Sequence, residues 1–179
     1  MAEAFSNSLT RAAGIHTSWS GSTIGAAGTS ITVTANTGIG VSHLVSNGNF
    51  IAGTKVAQID GTTIYTDRAS TNTASATSQI VEFLGVTTAY TSPSGTKAIL
   101  VGGTFANNTT SQVSLTVSVY DQSTGTQTAL ASAIPVPAGS SFVIADTGKT
   151  VLEGLDEVRL YTDVDNAIDA NLSILTGVS

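Results

Sequence analysis

The chain contains no cysteine among its 179 residues, and only 10% of them are Asp, Glu, Lys or Arg. Without cysteine, neither disulfide bonds nor thiolate-bound metal ions can hold the fold together, so stability has to come from packing and strand pairing. A typical soluble protein has about 25% charged residues. Ser, Thr, Asn, Gly and Ala take their place, and such a neutral surface favours a subunit of an assembly.

Positive charge is particularly scarce, and the formal net charge is −6. The six basic residues occur singly, at Arg11, Lys55, Arg68, Lys97, Lys149 and Arg159. No basic patch exists to neutralise phosphates, so we expect no nucleic-acid partner. Acidic residues concentrate between residues 146 and 169, which is typical of a solvated rim of loops.

Long apolar runs are also missing. No stretch approaches the ~18 consecutive apolar residues of a membrane-spanning helix. The N-terminal sequence MAEAFSNSLTRAAG lacks the basic start and apolar centre of a signal peptide. The sequence therefore predicts a soluble chain with no signal peptide and no membrane partner.

Catalytic motifs are not found. His16 and His43 are the only imidazoles, they are far apart in sequence, and they match no metal-ligand spacing. The chain has no GxSxG nucleophile elbow and no glycine-rich phosphate-binding loop. We therefore predict a non-enzymatic protein without a cofactor.

A calcium loop is the one metal site that the sequence suggests. Asp163, Asp165 and Asp169 lie close together in DVDNAIDAN, residues 163–171, and carboxylates at alternate positions suit a hard cation. However, no glycine stands at the turn position and no glutamate closes the loop, as an EF-hand requires. A solvated turn is the better interpretation, and we predict no metal site.

Alternating strands are the clearest positive signal. In QVSLTVSVYD, residues 112–121, apolar side chains occupy every second position from Val113 to Val119. A β-strand directs successive side chains to opposite faces, so this run predicts a half-buried strand with an outward hydroxyl face. Five further strand candidates separated by turns surround it in residues 97–179, which is typical of a β-sandwich.

The first half of the chain also reads as short strands. Asn47-Gly48 and Asp60-Gly61 each stand between apolar residues and predict tight type I′ hairpins. Pro93 and Gly95 interrupt the strand pattern and indicate a linker.

We therefore predict an all-β fold in which a small N-terminal β-module is followed by an antiparallel β-sandwich, or jelly-roll-like, domain. The predicted boundaries are an extended N-terminal arm at 1–27, the module at 28–84, the linker at 85–96 and the sandwich at 97–179.

The arm is predicted because residues 1–27 are too rich in small residues to bury much surface alone. Its candidate partner-binding residues are the apolar side chains Phe5, Leu9, Ile15 and Trp19, since apolar and aromatic anchors dominate protein interfaces. On this interpretation, deleting residues 1–20 abolishes docking without unfolding the sandwich.

Three segments carry a resemblance to a known group of proteins. Residues 89–121 and 134–163 resemble β-sandwich domains in virion structural proteins of tailed bacteriophages, with a Pro-Ala-Gly turn at 137–139. The last element, Leu152-Glu153-Gly154-Leu155-Asp156-Glu157-Val158, departs from the pattern because Leu155 is inserted between Gly and Asp. Residues 50–83 are similar to another small phage module.

The resemblance implies a structural role on a virus particle. The first expectation is a capsid decoration protein that stabilises the head, forms a homo-oligomer and binds the major capsid protein or other virion subunits. It would be located in the virion, which assembles in the host cytoplasm. The alternatives are a neck, tail or fibre component, and a glycan-binding sandwich that uses Tyr120 and Tyr161.

Overall fold

A computed structural model of the chain describes residues 3–144 and 149–178. Within these residues every regular element is a β-strand and none is a helix, which confirms the all-β prediction. No helix in this part of the chain could therefore cross a membrane. The strands, in chain order, are β1 (Ala4–Ala13), β2 (Ile15–Ile24), β3 (Ser30–Thr32), β4 (Leu44–Ser46), β5 (Val56–Asp60), β6 (Thr63–Thr66), β7 (Ala76–Gly85), β8 (Thr87–Thr91), β9 (Lys97–Asn107), β10 (Val113–Asp121), β11 (Thr126–Val136), β12 (Ser141–Ile144), β13 (Thr150–Leu152), β14 (Glu157–Thr162) and β15 (Ile168–Val178).

The strands divide into two compact units. The sandwich unit consists of Met1–Gly14 and Thr87–Ser179, and the inserted unit is Ile15–Val86. The inserted unit thus interrupts the sandwich unit between its first strand, β1, and its second, β8.

The sandwich unit contains a five-stranded and a four-stranded sheet. The five-stranded sheet has the order β1-β15-β9-β12, with β13 also paired to β9, and the four-stranded sheet has the order β11-β10-β14-β8. All pairs are antiparallel. Successive strands of the first half pair with strands of the second half in reverse order. β1 pairs with β15, β8 with β14, β9 with β13 and β12, and β10 with β11. The chain is therefore a long ribbon folded back at the β10–β11 hairpin, which is the topology of a jelly roll, and the sandwich prediction is confirmed.

One continuous core lies between the two sheets. Its fully buried large side chains include Phe105, Leu115, Leu160, Leu172 and Ile174. The alternating stretch around β10 forms the expected strand, because its odd-numbered valines and Leu115 point into this core.

The middle of the hydroxyl face of β10 is buried, whereas we predicted that this face points outward. Ser118 is 0% exposed and Thr116 is 8% exposed. The Thr116 hydroxyl accepts a hydrogen bond from the backbone N–H of Ala133 in the irregular part of β11. The neighbouring strand therefore covers this face.

The inserted unit is a six-stranded antiparallel sheet of order β4-β7-β2-β3-β6-β5. Its two edge strands are themselves joined, because Leu44 bridges to Lys55 and the N–H of Val56 donates to the carbonyl of His43. The sheet therefore closes on itself around a second core. That core contains Ile24, Ile31, Val33, Val45, Phe50, Val56, Ile64, Val81 and Phe83.

The extended N-terminal arm is not confirmed. Residues 4–13 form β1 of the sandwich unit and residues 15–24 form β2 of the inserted unit. The proposed linker, 85–96, contains β8. The boundaries at 28–84 and 97–179 shift accordingly. The physical reason is that β1 pairs with β15, at the other end of the chain, and local sequence composition carries no signal of so distant a partner.

Candidate interaction face

The five-stranded sheet exposes the side that faces away from the core, which we call the outer face. A row of apolar side chains crosses four strands on this face. Phe5 lies opposite Leu175, Leu175 opposite Ile99, and Ile99 opposite Val151. Side chains directly opposite each other on antiparallel strands have Cβ atoms about 5 Å apart. These four residues, the apolar row, therefore form one continuous strip, in which Phe5 is 65% and Val151 54% exposed.

A second row on the outer face is apolar only at its ends. Leu9 lies opposite Asn171, Asn171 opposite Thr104, and Thr104 opposite Val143. Leu9 and Val143 are 74% and 53% exposed. Leu9, Asn171 and Thr104 line a shallow concavity of about 430 Å³ together with Thr10, Arg11, Ala106, Asp169 and Ala170.

A bulge in β1 shapes the rim of this concavity. Ala12 has φ of 55°, and the pairing with β15 shifts between Thr10 and Ala13. The N–H of Ala12, freed from the ladder, donates to the Asp169 carboxylate at 2.8 Å. The exposed Arg11 side chain has no hydrogen bond or ion pair among the described residues.

On the three long strands of the outer face, β1, β15 and β9, charged residues occur only at the two ends of the face. Arg11 and Asp169 lie at one end, and Lys97, which is 3.1 Å from the Glu153 carboxylate, lies at the other. Between these ends β1, β15 and β9 present apolar, hydroxyl and amide groups. Covering such a surface with another protein costs less solvation free energy than covering charged groups, provided that its hydroxyl and amide groups find hydrogen-bond partners. Its chemistry fits protein docking.

The four-stranded sheet offers a different surface around Tyr120 and Tyr161. The Tyr161 ring is completely buried, its hydroxyl donates to Gln127 at 2.9 Å, and this burial raises its pKa above the usual value. The guanidinium of Arg159 lies 3.6 Å from the centre of the Tyr120 ring and is held there by Glu157 at 2.7 Å. Tyr161 therefore offers no ring face on which a sugar could stack, and one face of the Tyr120 ring is already occupied by Arg159.

The four apolar residues proposed as partner-binding residues are separated by the fold. Phe5 and Leu9 lie together on the outer face. Ile15 pairs with Gly85 at the start of the inserted unit and is 46% exposed. Trp19 packs against the second core. The structure thus brings two of the four residues together.

Sequence reasoning missed three members of the apolar row: Ile99, Val151 and Leu175. Ile99 and Leu175 belong to strands that the alternation did predict, but alternation alone does not tell which of two faces will be covered. Val151 lies in β13, a three-residue strand that was not predicted.

The two histidines take part in local contacts of the inserted unit. His16 Nε2 lies 3.8 Å from the Glu82 carboxylate. The N–H of Gly40 donates to His43 Nδ1 at 3.2 Å, and burial lowers the pKa of His43 below the usual value. Two aspartates of the calcium-loop candidate accept backbone N–H groups: Asp163 accepts that of Ser114 at 2.7 Å, and Asp169 accepts that of Ala12 at 2.8 Å. No three His, Asp or Glu residues in the described chain are grouped as metal ligands would be.

Comparison of the chain with protein-family models, with curated proteins and with solved structures finds no match.

Proposed function

We propose that this chain is a non-enzymatic structural subunit of a tailed-bacteriophage virion, and specifically a capsid decoration protein that docks through the outer face of its five-stranded sheet. The observation that carries the proposal is the apolar row on an otherwise neutral sheet face. Monomeric proteins rarely expose large contiguous apolar patches, and those that exist often mark interaction sites.

The jelly-roll topology gives independent support of a weaker kind. Jelly rolls occur in viral capsid proteins, although also in lectins and other proteins, so the fold alone selects no function. The sequence resemblance of residues 89–121 and 134–163 to phage virion proteins provides the setting, and the outer face provides a surface that suits it.

The partners on this proposal are the major capsid protein or other virion subunits, together with further copies of this chain. The location is the virion, assembled in the host cytoplasm. The contact is a docking of sheet against protein surface, in which the apolar row is buried and the hydroxyl and amide groups beside it form hydrogen bonds across the interface.

A glycan-binding role has less support. It depended on Tyr120 and Tyr161 as stacking platforms, and one ring is buried while the other is covered on one side by Arg159.

Electron microscopy of purified virions, labelled with an antibody against this chain, tests the proposal. Quantitative mass spectrometry of the same particles gives the copy number relative to the major capsid protein. We expect label over the whole head and many copies per particle. Label confined to the neck or tail, with few copies, would instead support the neck or tail alternative. Particles without the chain would refute a virion role.

A further inference from the structure

We propose that two copies of this chain pair through β1, edge to edge and antiparallel, so that their five-stranded sheets join into one ten-stranded sheet. This inference goes beyond the proposed function, because such a dimer can form whether or not the protein belongs to a virion. The partner is a second copy of the same chain, and the interface is the free edge of β1.

The first observation is that β1 is an edge strand of unusual accessibility. It pairs with β15 on one side, and no other strand of the described chain pairs with its opposite side. Residues 4–7 are all exposed. Natural edge strands are usually short, or protected by proline, bulges or several charges. β1 is ten residues long, contains no proline, and has its single charged residue, Arg11, next to its only bulge.

The second observation is that the strand is complementary to itself. In EAFSNSLTR, residues 3–11, an antiparallel pairing centred on Asn7 places Glu3 of one copy opposite Arg11 of the other. The same register places Phe5 opposite Leu9. No other antiparallel register brings the two charged residues opposite each other. Opposite-charge pairs and pairs that include an aromatic side chain are among the cross-strand contacts that stabilise neighbouring strands.

In this register the apolar and charged side chains lie on the outer face and the small hydroxyl side chains lie on the inner face. Phe5, Asn7, Leu9 and Arg11 share the outer face, where the apolar contact and the ion pair would form. Ser6 and Ser8 oppose each other on the inner face, where only small hydroxyl groups meet. Each partner strand would therefore extend the outer face of its neighbour, and the two apolar rows would lie on one continuous surface.

The third observation concerns Arg11 in the single chain. Arg11 has no ion pair or hydrogen bond among the described residues, although the chain has twice as many acidic as basic residues. Glu3, directly before β1, and Arg11 within it lie eight residues apart along extended chain, about 26 Å, and cannot meet within one copy. Any energetic coupling between them must therefore arise between two copies.

A charge-swap series measured by analytical ultracentrifugation tests the dimer. Arg11→Glu and Glu3→Arg each create two like-charge pairs in a symmetric dimer, and we expect each to raise the dimer Kd about tenfold. The double variant Glu3→Arg/Arg11→Glu restores both ion pairs and should return to within about threefold of the wild type. Arg68→Glu, which has the same change of charge in the inserted unit, is the matched control and should leave Kd unchanged.

A cross-linking test fixes the register. The chain has no cysteine, so Asn7→Cys introduces a single thiol at the two-fold axis. The two Cα atoms would be about 4.5–5.5 Å apart, within the range of a disulfide, and mild oxidation should give a covalent dimer. Ser173→Cys is the matched control. Ser173 lies opposite Asn7 on β15, so two copies would be about 14 Å apart, and no cross-link is expected.

Three results would overturn the proposal. One is a wild-type protein that sediments as a monomer at every concentration up to about 0.1 mM, a range in which even weak association is visible. Another is a double charge-swap variant that is no better than its single parents. The third is equal cross-linking of Asn7→Cys and Ser173→Cys. Rescue by the double variant together with selective cross-linking at position 7 would establish it.

Discussion

Leu155 has a backbone conformation that leucine seldom adopts. Its φ is 73°, in the left-handed region that normally suits glycine. The leucine could not stand at position 154 instead, because a Cβ on Gly154 would lie 2.8 Å from the backbone nitrogen of Gly95. Leu155, between Gly154 and Asp156, therefore takes up the strained backbone position, while Gly154 is required by close packing of the backbone.

Replacing Leu155 by glycine should stabilise the protein by about 1 kcal/mol, because it removes left-handed strain at a residue that is 46% exposed. Gly154→Ala should destabilise it by roughly 1–3 kcal/mol, because the added methyl group has no room. Chemical denaturation measures both changes. A Leu155→Gly protein less stable than the wild type would contradict this account of the turn.

His43 makes the inserted unit sensitive to acid. The folded chain favours the neutral imidazole, since burial lowers its pKa and Nδ1 accepts the N–H of Gly40. Above about pH 6.5 the imidazole is neutral in both the folded and the unfolded chain. As the pH falls below that value, the unfolded chain binds the proton first, so the stability contributed by His43 is lost.

We therefore expect the melting temperature of the inserted unit to fall between pH 7.5 and pH 5.5, and His43→Asn to reduce that fall. Asparagine can still accept the Gly40 N–H but does not titrate. An unchanged slope in His43→Asn would rule out His43 as the cause.

At the scale of the element, β1 is a structural part of the sandwich. Its inward residue Ala13 is fully buried in the core. Ser8 and Thr10 both donate hydrogen bonds to the carbonyl of Ala89 on β8, at 2.8 and 3.3 Å. These bonds tie the edge of one sheet to the edge of the other.

Deleting residues 1–13 should therefore destabilise the sandwich unit by about 3 kcal/mol or more, a large part of the stability of a typical domain. This is the opposite of what an independent arm predicts. The double variant Phe5→Ser/Leu9→Ser removes only exposed side chains and should stay within about 0.5 kcal/mol of the wild type. Denaturant titrations distinguish the two. A truncated chain as stable as the wild type would instead support the hypothesis that these residues form an independent arm.

The strands most easily predicted from the sequence were those with strong local alternation. The six candidates of the second half correspond to β9, β10, β11, β12, β14 and β15. β1 and β2 were missed because their many Ser, Thr and Ala residues give a weak apolar pattern, and their strand conformation depends on distant partners.

The two predicted hairpins differ in outcome. β5 and β6 do form a tight hairpin, but the loop residues are Gly61 and Thr62, and only Gly61 has positive φ. The type I′ prediction is therefore wrong in detail. Asn47-Gly48 forms no hairpin, because β4 pairs with the distant β7 and Asn47 accepts the N–H of Asn49 in a local turn.

The outer face could be predicted only in part, for the same reason. Phe5 and Leu9 were selected as exposed apolar residues. Their alignment with Leu175, Ile99 and Val151 depends on the register of four strands, which local patterns do not determine.

At the scale of the whole molecule, the chain is one jelly roll with a second unit inserted after its first strand. The chain passes between the units twice, after Gly14 and after Val86. In each unit, the residues next to these two positions lie close together. The N–H of Gly14 donates to the Thr87 hydroxyl at 3.2 Å in the sandwich unit, and Ile15 pairs with Gly85 in the inserted unit.

Each unit should therefore fold without the other. A chain in which Gly14 is joined directly to Thr87 should retain the sandwich, and a fragment of residues 15–86 should fold around its own core. Dispersed amide resonances and a cooperative thermal transition would confirm each. An unfolded fragment or an unfolded joined chain would show that one unit needs the other in order to fold.

The central claim is that the outer face of the five-stranded sheet docks onto other virion subunits. Its most direct test is the binding of two matched variants to particles stripped of the native protein. Val151→Asp places a charge in the apolar row, and Ile80→Asp places one at a similarly exposed position of the inserted unit, the two side chains being 54% and 61% exposed. We predict that Val151→Asp weakens binding at least about tenfold, roughly 1.4 kcal/mol, while Ile80→Asp binds like the wild type. Wild-type binding by Val151→Asp would contradict the claim.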